Sequence, residues 1–182
     1  LGLPDMYDTN GEYDGKADTP GYWDIMDYQF MYDGYRPTSY SAYERSMLGW
    51  LQIKPLKENG AYTLMPLDGT ATEGSVQAAC VVNPQNPSEY FIVEHRRNSD
   101  FYASSYLGEG MLVWHVDYSA TLWNQNRVNT DAALQHVQVV PADGQWQSVK
   151  DVNLTDDAGK RYTYPGDLFP GYEEVTAFDG LT

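Results

Sequence analysis

The sequence predicts an α+β fold that is mostly β: a loop-rich start, one short helix, then a mainly antiparallel β domain. Three observations carry that expectation. Five stretches after Pro55 have strand length and strand composition, the segments between them have turn chemistry, and only one window has helical periodicity. The texture changes near residues 52–60, so the chain divides into an expected unit at 1–54 and a β-rich unit at 55–182 with an irregular C-terminal segment.

Residues 1–38 intersperse Gly, Pro, Asp, Asn and Tyr without sustained periodicity and read as loop. In "SYSAYERSMLGWL", Ser41 and Glu44 have capping-box spacing, which lets hydroxyl and carboxylate satisfy end amides reciprocally. Tyr43, Met47 and Trp50 fall at i, i+4 and i+7, one stripe of an amphipathic helix over 41–50. Gly49 weakens its last turn and Pro55 blocks continuation. The expected strands are "AYTLMPL", "VQAACVV", "EYFIVEHR", "GMLVWHVDY" and "HVQVVP", with "DGTATEG", "NPQNPS" and "ADGQ" between them. From Asp151 the chain turns irregular, with two prolines among aromatics in "YTYPGDLFPGYEE".

With 182 residues the chain is long enough to bury roughly 70% of its unfolded surface. Its single cysteine, Cys80, makes no internal disulfide and reads as a small apolar side chain in "VQAACVV". Eleven basic against twenty-six acidic residues give a net charge of −15, a field that repels nucleic acid. Sixteen Tyr and five Trp exclude a disordered acidic tail. The longest apolar runs fall short of the ~18 residues a spanning helix needs, so no transmembrane segment is expected.

The first residues have a chemical pattern of their own. A hydrolytic zinc site needs three protein ligands and an open position for water. One solution sets two His a turn apart as HExxH, with Glu as general base, breaks the helix at Gly and brings a third ligand round. Against HExxHxxGxxH, Gly2 takes the Gly position and Asp5 the third-ligand position, with Leu3 and Pro4 as spacers. A carboxylate can replace His there. The "WDIM" at Trp23–Met26 then lies where a Met-turn would.

"LGLPDMYD", "GYWDIMD", "SAYERSMLGWL", "EYFIVEHRR", "GEGMLVWHVD", "PADG" and "DLFPG" follow one another as in the immune inhibitor A family of secreted bacterial zinc metallopeptidases, which the chain resembles from Leu1 to about Gly171. The resemblance implies a secreted or cell-surface endopeptidase acting on peptides or proteins, with a metzincin-like catalytic domain. It implies that residues 1–54 are the end of that domain, with Asp5 as third zinc ligand and Met26 in the Met-turn, and that the β-rich part is an extension. HExxH is absent from the chain. By the spacing, its second His would lie two residues before Leu1, in an upstream half of the catalytic domain. No peptidase activity is therefore expected of these residues alone.

Other groups have plainer readings beside the functional ones. Asp8, Asn10, Glu12 and Asp14 alternate in "DTNGEYDG" like the start of a calcium loop, but the Gly falls early and no bidentate Glu follows, so a solvated acidic loop fits as well. His115 and Asp117 share one face of a strand and Leu112, Trp114 and Val116 the other; the pair reads as a metal-ligand couple or as a rim pair. His95 sits on the strand face opposite to that of Glu94 and next to Arg96, which points to charge pairing across the sheet, and His136 opens a strand without an evident partner. Arg36 in "DGYRPTSY" reads either as substrate-loop chemistry or as stacking on an aromatic. No G-x-S-x-G elbow supports a serine hydrolase. The alternative to a peptidase part is a non-catalytic, aromatic-rich β module, calcium-stabilised, that binds carbohydrate or protein.

Overall fold

The computed structural model describes residues 1–10, 19–27, 37–70, 72–97, 107–144, 164–171 and 174–178. Their centre is a five-stranded sheet. Strands β4 (Ala78–Val82), β5 (Glu89–Arg96) and β6 (Gly110–Asp117) form its middle, flanked by β7 (Val137–Val139) and the two-residue edge strand β1 (Lys54–Pro55). The order is β1-β4-β5-β6-β7, antiparallel except for the parallel β1–β4 pair. Pro55 is tolerated in β1 because an edge strand leaves one side of its backbone unpaired. A separate parallel pair joins β2 (Thr63–Leu64) and β3 (Ser75–Val76). The mainly β, mixed architecture agrees with the expected class, and four of the five expected strands are sheet members; "AYTLMPL" shrinks to β2.

Register follows from alternation. Ile92 pairs with Cys80 on one side and Trp114 on the other. Leu112, Trp114 and Val116 face the main core, fully buried, while Val113 faces a smaller cluster with Phe91 and Phe169. Each such apolar side chain contributes about 1.5–3 kcal/mol of burial. The main core also takes Met6, Tyr22, Trp23, Ala42 and Tyr43, so residues on both sides of position 54 pack into one cluster.

Helix α1 spans Ala42–Met47, with Ser41 as N-cap and the full capping box formed. The helix stops in a Schellman motif: Gly49 is at φ +73°, its amide donates to Ser46 O at 3.0 Å, and Trp50 N donates to Arg45 O at 2.8 Å. This corrects the expected stripe. Trp50 lies beyond the helix, 58% exposed and edge-on to Tyr40, and Met47 is 43% exposed. The buried face is Ala42, Tyr43 and Glu44 instead. Two further helices, α2 (Ala120–Asn124) and α3 (Tyr164–Asp167), are too short to show a 3.6-residue stripe in sequence. In the described part of the C-terminal segment Phe169 bridges to Met111, with Phe169 N donating at 2.8 Å. No described helix is long and apolar enough to cross a membrane.

Candidate functional site

The segment 1–10 runs without helix, and its partners lie far along the chain. Gly2 sits at φ +80°, a conformation that a Cβ resists. The Asp5 amide donates to Asn126 Oδ1 at 2.7 Å, and Asn126 Nδ2 returns a bond to Asp5 Oδ2 at 2.7 Å. The Tyr7 hydroxyl donates to the same carboxylate oxygen at 3.2 Å. Met6 N donates to Met26 O at 3.0 Å, which sets the Asp5 segment beside the turn that carries Met26. Met26 itself is half-buried against the main core.

The turn is built from its own aspartates. A 3-10 turn over Gly21–Trp23 leads to Asp24, whose Oδ1 accepts from Met26 N at 2.7 Å. Asp27 Oδ2 accepts from Gly21 N at 2.6 Å. Trp23, almost fully buried, donates its indole N–H to Asp167 Oδ2 at 2.6 Å, which ties the turn to α3.

By themselves the described residues do not fit a zinc site. One oxygen of Asp5 is committed to Asn126 and Tyr7, and among the described residues no three His, Cys, Asp or Glu side chains converge as metal ligands. Of the four calcium-loop residues, Glu12 and Asp14 lie outside the described residues, as does Arg36. Asp8 is buried and its Oδ1 accepts from Asn10 N at 3.0 Å, a local Asx turn, while Asn10 Nδ2 donates to Thr130 O at 3.0 Å.

The histidines occupy structural niches. His115 stacks on Phe91 at 5.0 Å between ring centroids and its Nε2 lies 3.0 Å from Glu89 Oε1. Asp117 pairs with His136 rather than His115: Nδ1 of His136 lies 2.7 Å from Asp117 O and 3.3 Å from its Oδ2. The partner that the sequence did not offer His136 comes from the β6–β7 pairing. Glu89 is held below the usual carboxylate range by Asn83 first and His115 second. The charge pairing expected around His95 forms instead between Glu94 and Arg96, buried on the opposite face at 2.5 Å.

That ion pair belongs to a buried carboxylate cluster that the sequence reading missed. Glu94 Oε2 accepts from Ala42 N at 2.6 Å, at the start of α1. Arg96 reaches Thr38 Oγ1 at 3.1 Å and Trp23 O at 3.3 Å. Burial, then Glu44 and Asp27, raise Asp24 well above the ordinary carboxyl range. Glu44 is pushed up to about 7, chiefly by burial, against the hydrogen bonds from Ser41. The readable signal was Glu94-x-Arg96, two opposite charges on one face of a strand. Asn129 was missed as well. Fully buried, it donates to Met6 O and Val137 O at 2.7 Å each and accepts from His136 N and Val137 N at 3.0 Å.

A groove of about 360 Å³ opens between α1 and the β4–β5 turn, lined by Tyr43, Ser46, Met47, Pro87, Tyr90 and Tyr118 among others. Burial holds the Tyr43 phenol above its ordinary value and raises Tyr90 to about 12. No family model, no curated protein and no solved structure matches the chain.

Proposed function

We propose that this chain is the C-terminal part of a secreted bacterial zinc metalloendopeptidase, with the two His ligands and the Glu base supplied upstream of Leu1. The observation that supports this most is the Met6–Met26 hydrogen bond of 3.0 Å. It joins the two segments that the motif needs side by side, with Gly2 in the left-handed conformation and Asp5 one residue from the contact. Bound zinc would polarise the scissile carbonyl and acidify its water. This chain's own contribution is one carboxylate oxygen from Asp5, the backbone break at Gly2 and the Met26 turn. Alone it is expected to hydrolyse nothing.

The test is to extend the chain upstream in its coding sequence and measure bound zinc. His-Glu-x-x-His ending with one residue between it and Leu1, with one zinc per chain lost in Asp5→Ala, is the expected result. Any other residue at the second His position removes the catalytic reading.

The groove favours a second reading, a non-catalytic binding module for carbohydrate or protein. Eight uncharged residues line it on a chain of net charge −15. Titration calorimetry against neutral oligosaccharides should then show binding that Tyr118→Ala weakens at least tenfold, and added calcium should raise the melting temperature. An unchanged affinity in Tyr118→Ala would remove the groove from consideration.

A further inference from the structure

The junction between the Trp23–Asp27 turn, helix α1 and strand β5 gathers several buried carboxyl groups around Arg96. Asp24 and Asp27 come from the turn, Glu44 from α1 and Glu94 from β5, all at 1% exposure or less. Arg96 is the guanidinium that acts on both Asp24 and Glu44, and it is ion-paired to Glu94. Arg45, on the same helix, donates to Tyr40 O, Leu67 O and Ser39 Oγ. Asp167, from α3, takes the Trp23 indole N–H at the side of the turn.

The carboxyl oxygens differ in how they are served. Asp24 Oδ1 takes the Met26 amide and Glu44 Oε2 takes the Ser41 amide at 2.7 Å and hydroxyl at 3.1 Å. Asp24 Oδ2 and Glu44 Oε1 are buried with no hydrogen-bond partner among the described residues. An ionised carboxylate in such a place lacks compensation, and the cheaper state is the neutral acid. Neighbouring carboxylates add to the cost of ionisation: Glu44 and Asp27 act on Asp24, and Glu94 acts on Glu44.

We propose that Asp24 and Glu44 form a proton-loaded clasp between the turn and helix α1, closed while the pair holds its protons and loosened when both carboxyls ionise. The clasp makes this junction an alkaline-sensitive point of the fold. It rests on the buried cluster and not on the peptidase reading, so either can fail alone.

The sign follows from proton counting. Glu44 titrates near 7 in the folded chain against 4.5 as a free side chain, so between those values the folded state holds more protons than the unfolded one. Stability therefore falls as pH rises through that window, and the loss is complete above it. Each pH unit raises the unfolding constant up to about tenfold from this group. Asp24 is raised in the same direction and extends the fall to higher pH.

The experiment is denaturant unfolding of the full chain at pH 5, 6, 7 and 8, beside Glu44→Gln and Asp24→Asn. The expected result is a midpoint that drops from pH 5 to 8 in the native sequence and a flatter profile in each variant. A carbon-13 titration of the side-chain carboxyls in the unsubstituted chain serves where a variant does not fold. There the Glu44 resonance should move near neutral pH. A Glu44 midpoint in the ordinary carboxylate range, or a pH slope unchanged in both variants, overturns the clasp.

Discussion

The central sheet and the α1 junction are both buried, but strand β5 shows how differently they are held. Along its core face, Ile92, Glu94 and Arg96 follow at alternate positions, and all are buried. At Ile92 the strand lies between Cys80 and Trp114 and needs only shape. At Glu94 and Arg96 the same face meets the start of α1 and the carbonyl of Trp23, and needs charge. One strand thus passes from an apolar interior to an ionic one within about two turns of its pleat. Apolar burial tolerates any pH; a buried ion pair holds only while both partners remain, because removing one strands the other.

The sharpest break of this comparison sets Trp114→Ala against Arg96→Ala. Each is expected to cost about 3–5 kcal/mol, the first through a cavity and the second through carboxylates left without their guanidinium. Chemical unfolding at two pH values separates them. The Trp114→Ala loss should stay constant, whereas the Arg96→Ala loss should shrink in acid, which neutralises the stranded carboxylates. Equal pH profiles would mean that the junction is not electrostatic. A smaller effect tests the polar hub beside the sheet. Asn129→Ala removes four hydrogen bonds and should cost about 2–3 kcal/mol through the buried groups it leaves unmade. Amide exchange should rise at His136 and Val137, and protection unchanged at both would count against the hub. The smallest is Ser41→Ala, about 1 kcal/mol for a lost N-cap. A thermal melt reads it, and a melting temperature equal to the parent's would show that Glu94 at the Ala42 amide suffices to start α1.

What the sequence reveals divides along the same line. The strands Ala78–Val82, Glu89–Arg96 and Gly110–Asp117 and the Ser41–Glu44 capping box are legible because their signals are local: period, turn residues, a three-residue spacing. The stripe through Met47 and Trp50 misleads because the left-handed Gly49 ends the helix before the period completes. Glu94 and Arg96 look like surface charges, since alternation marks a face but not which segment will cover it. Asp5 and Met26 can be chosen from a motif, yet nothing near them announces Asn126, which holds Asp5 from 121 positions away. His136 finds Asp117 only once β7 has paired with β6.

The Asp5–Asn126 pair has a consequence for how the chain comes into being. A ribosome delivers Asp5, Met6 and Thr9 long before Asn126 and Asn129 exist to receive them, and Trp23 waits 144 positions for Asp167. Residues made well ahead of their partners are therefore among the last to be secured. Contacts of such wide separation slow folding, because chain closure precedes its reward. During that interval the β4–β6 hairpins can assemble from neighbours in sequence, while residues 1–10 wait for the partners that secure them.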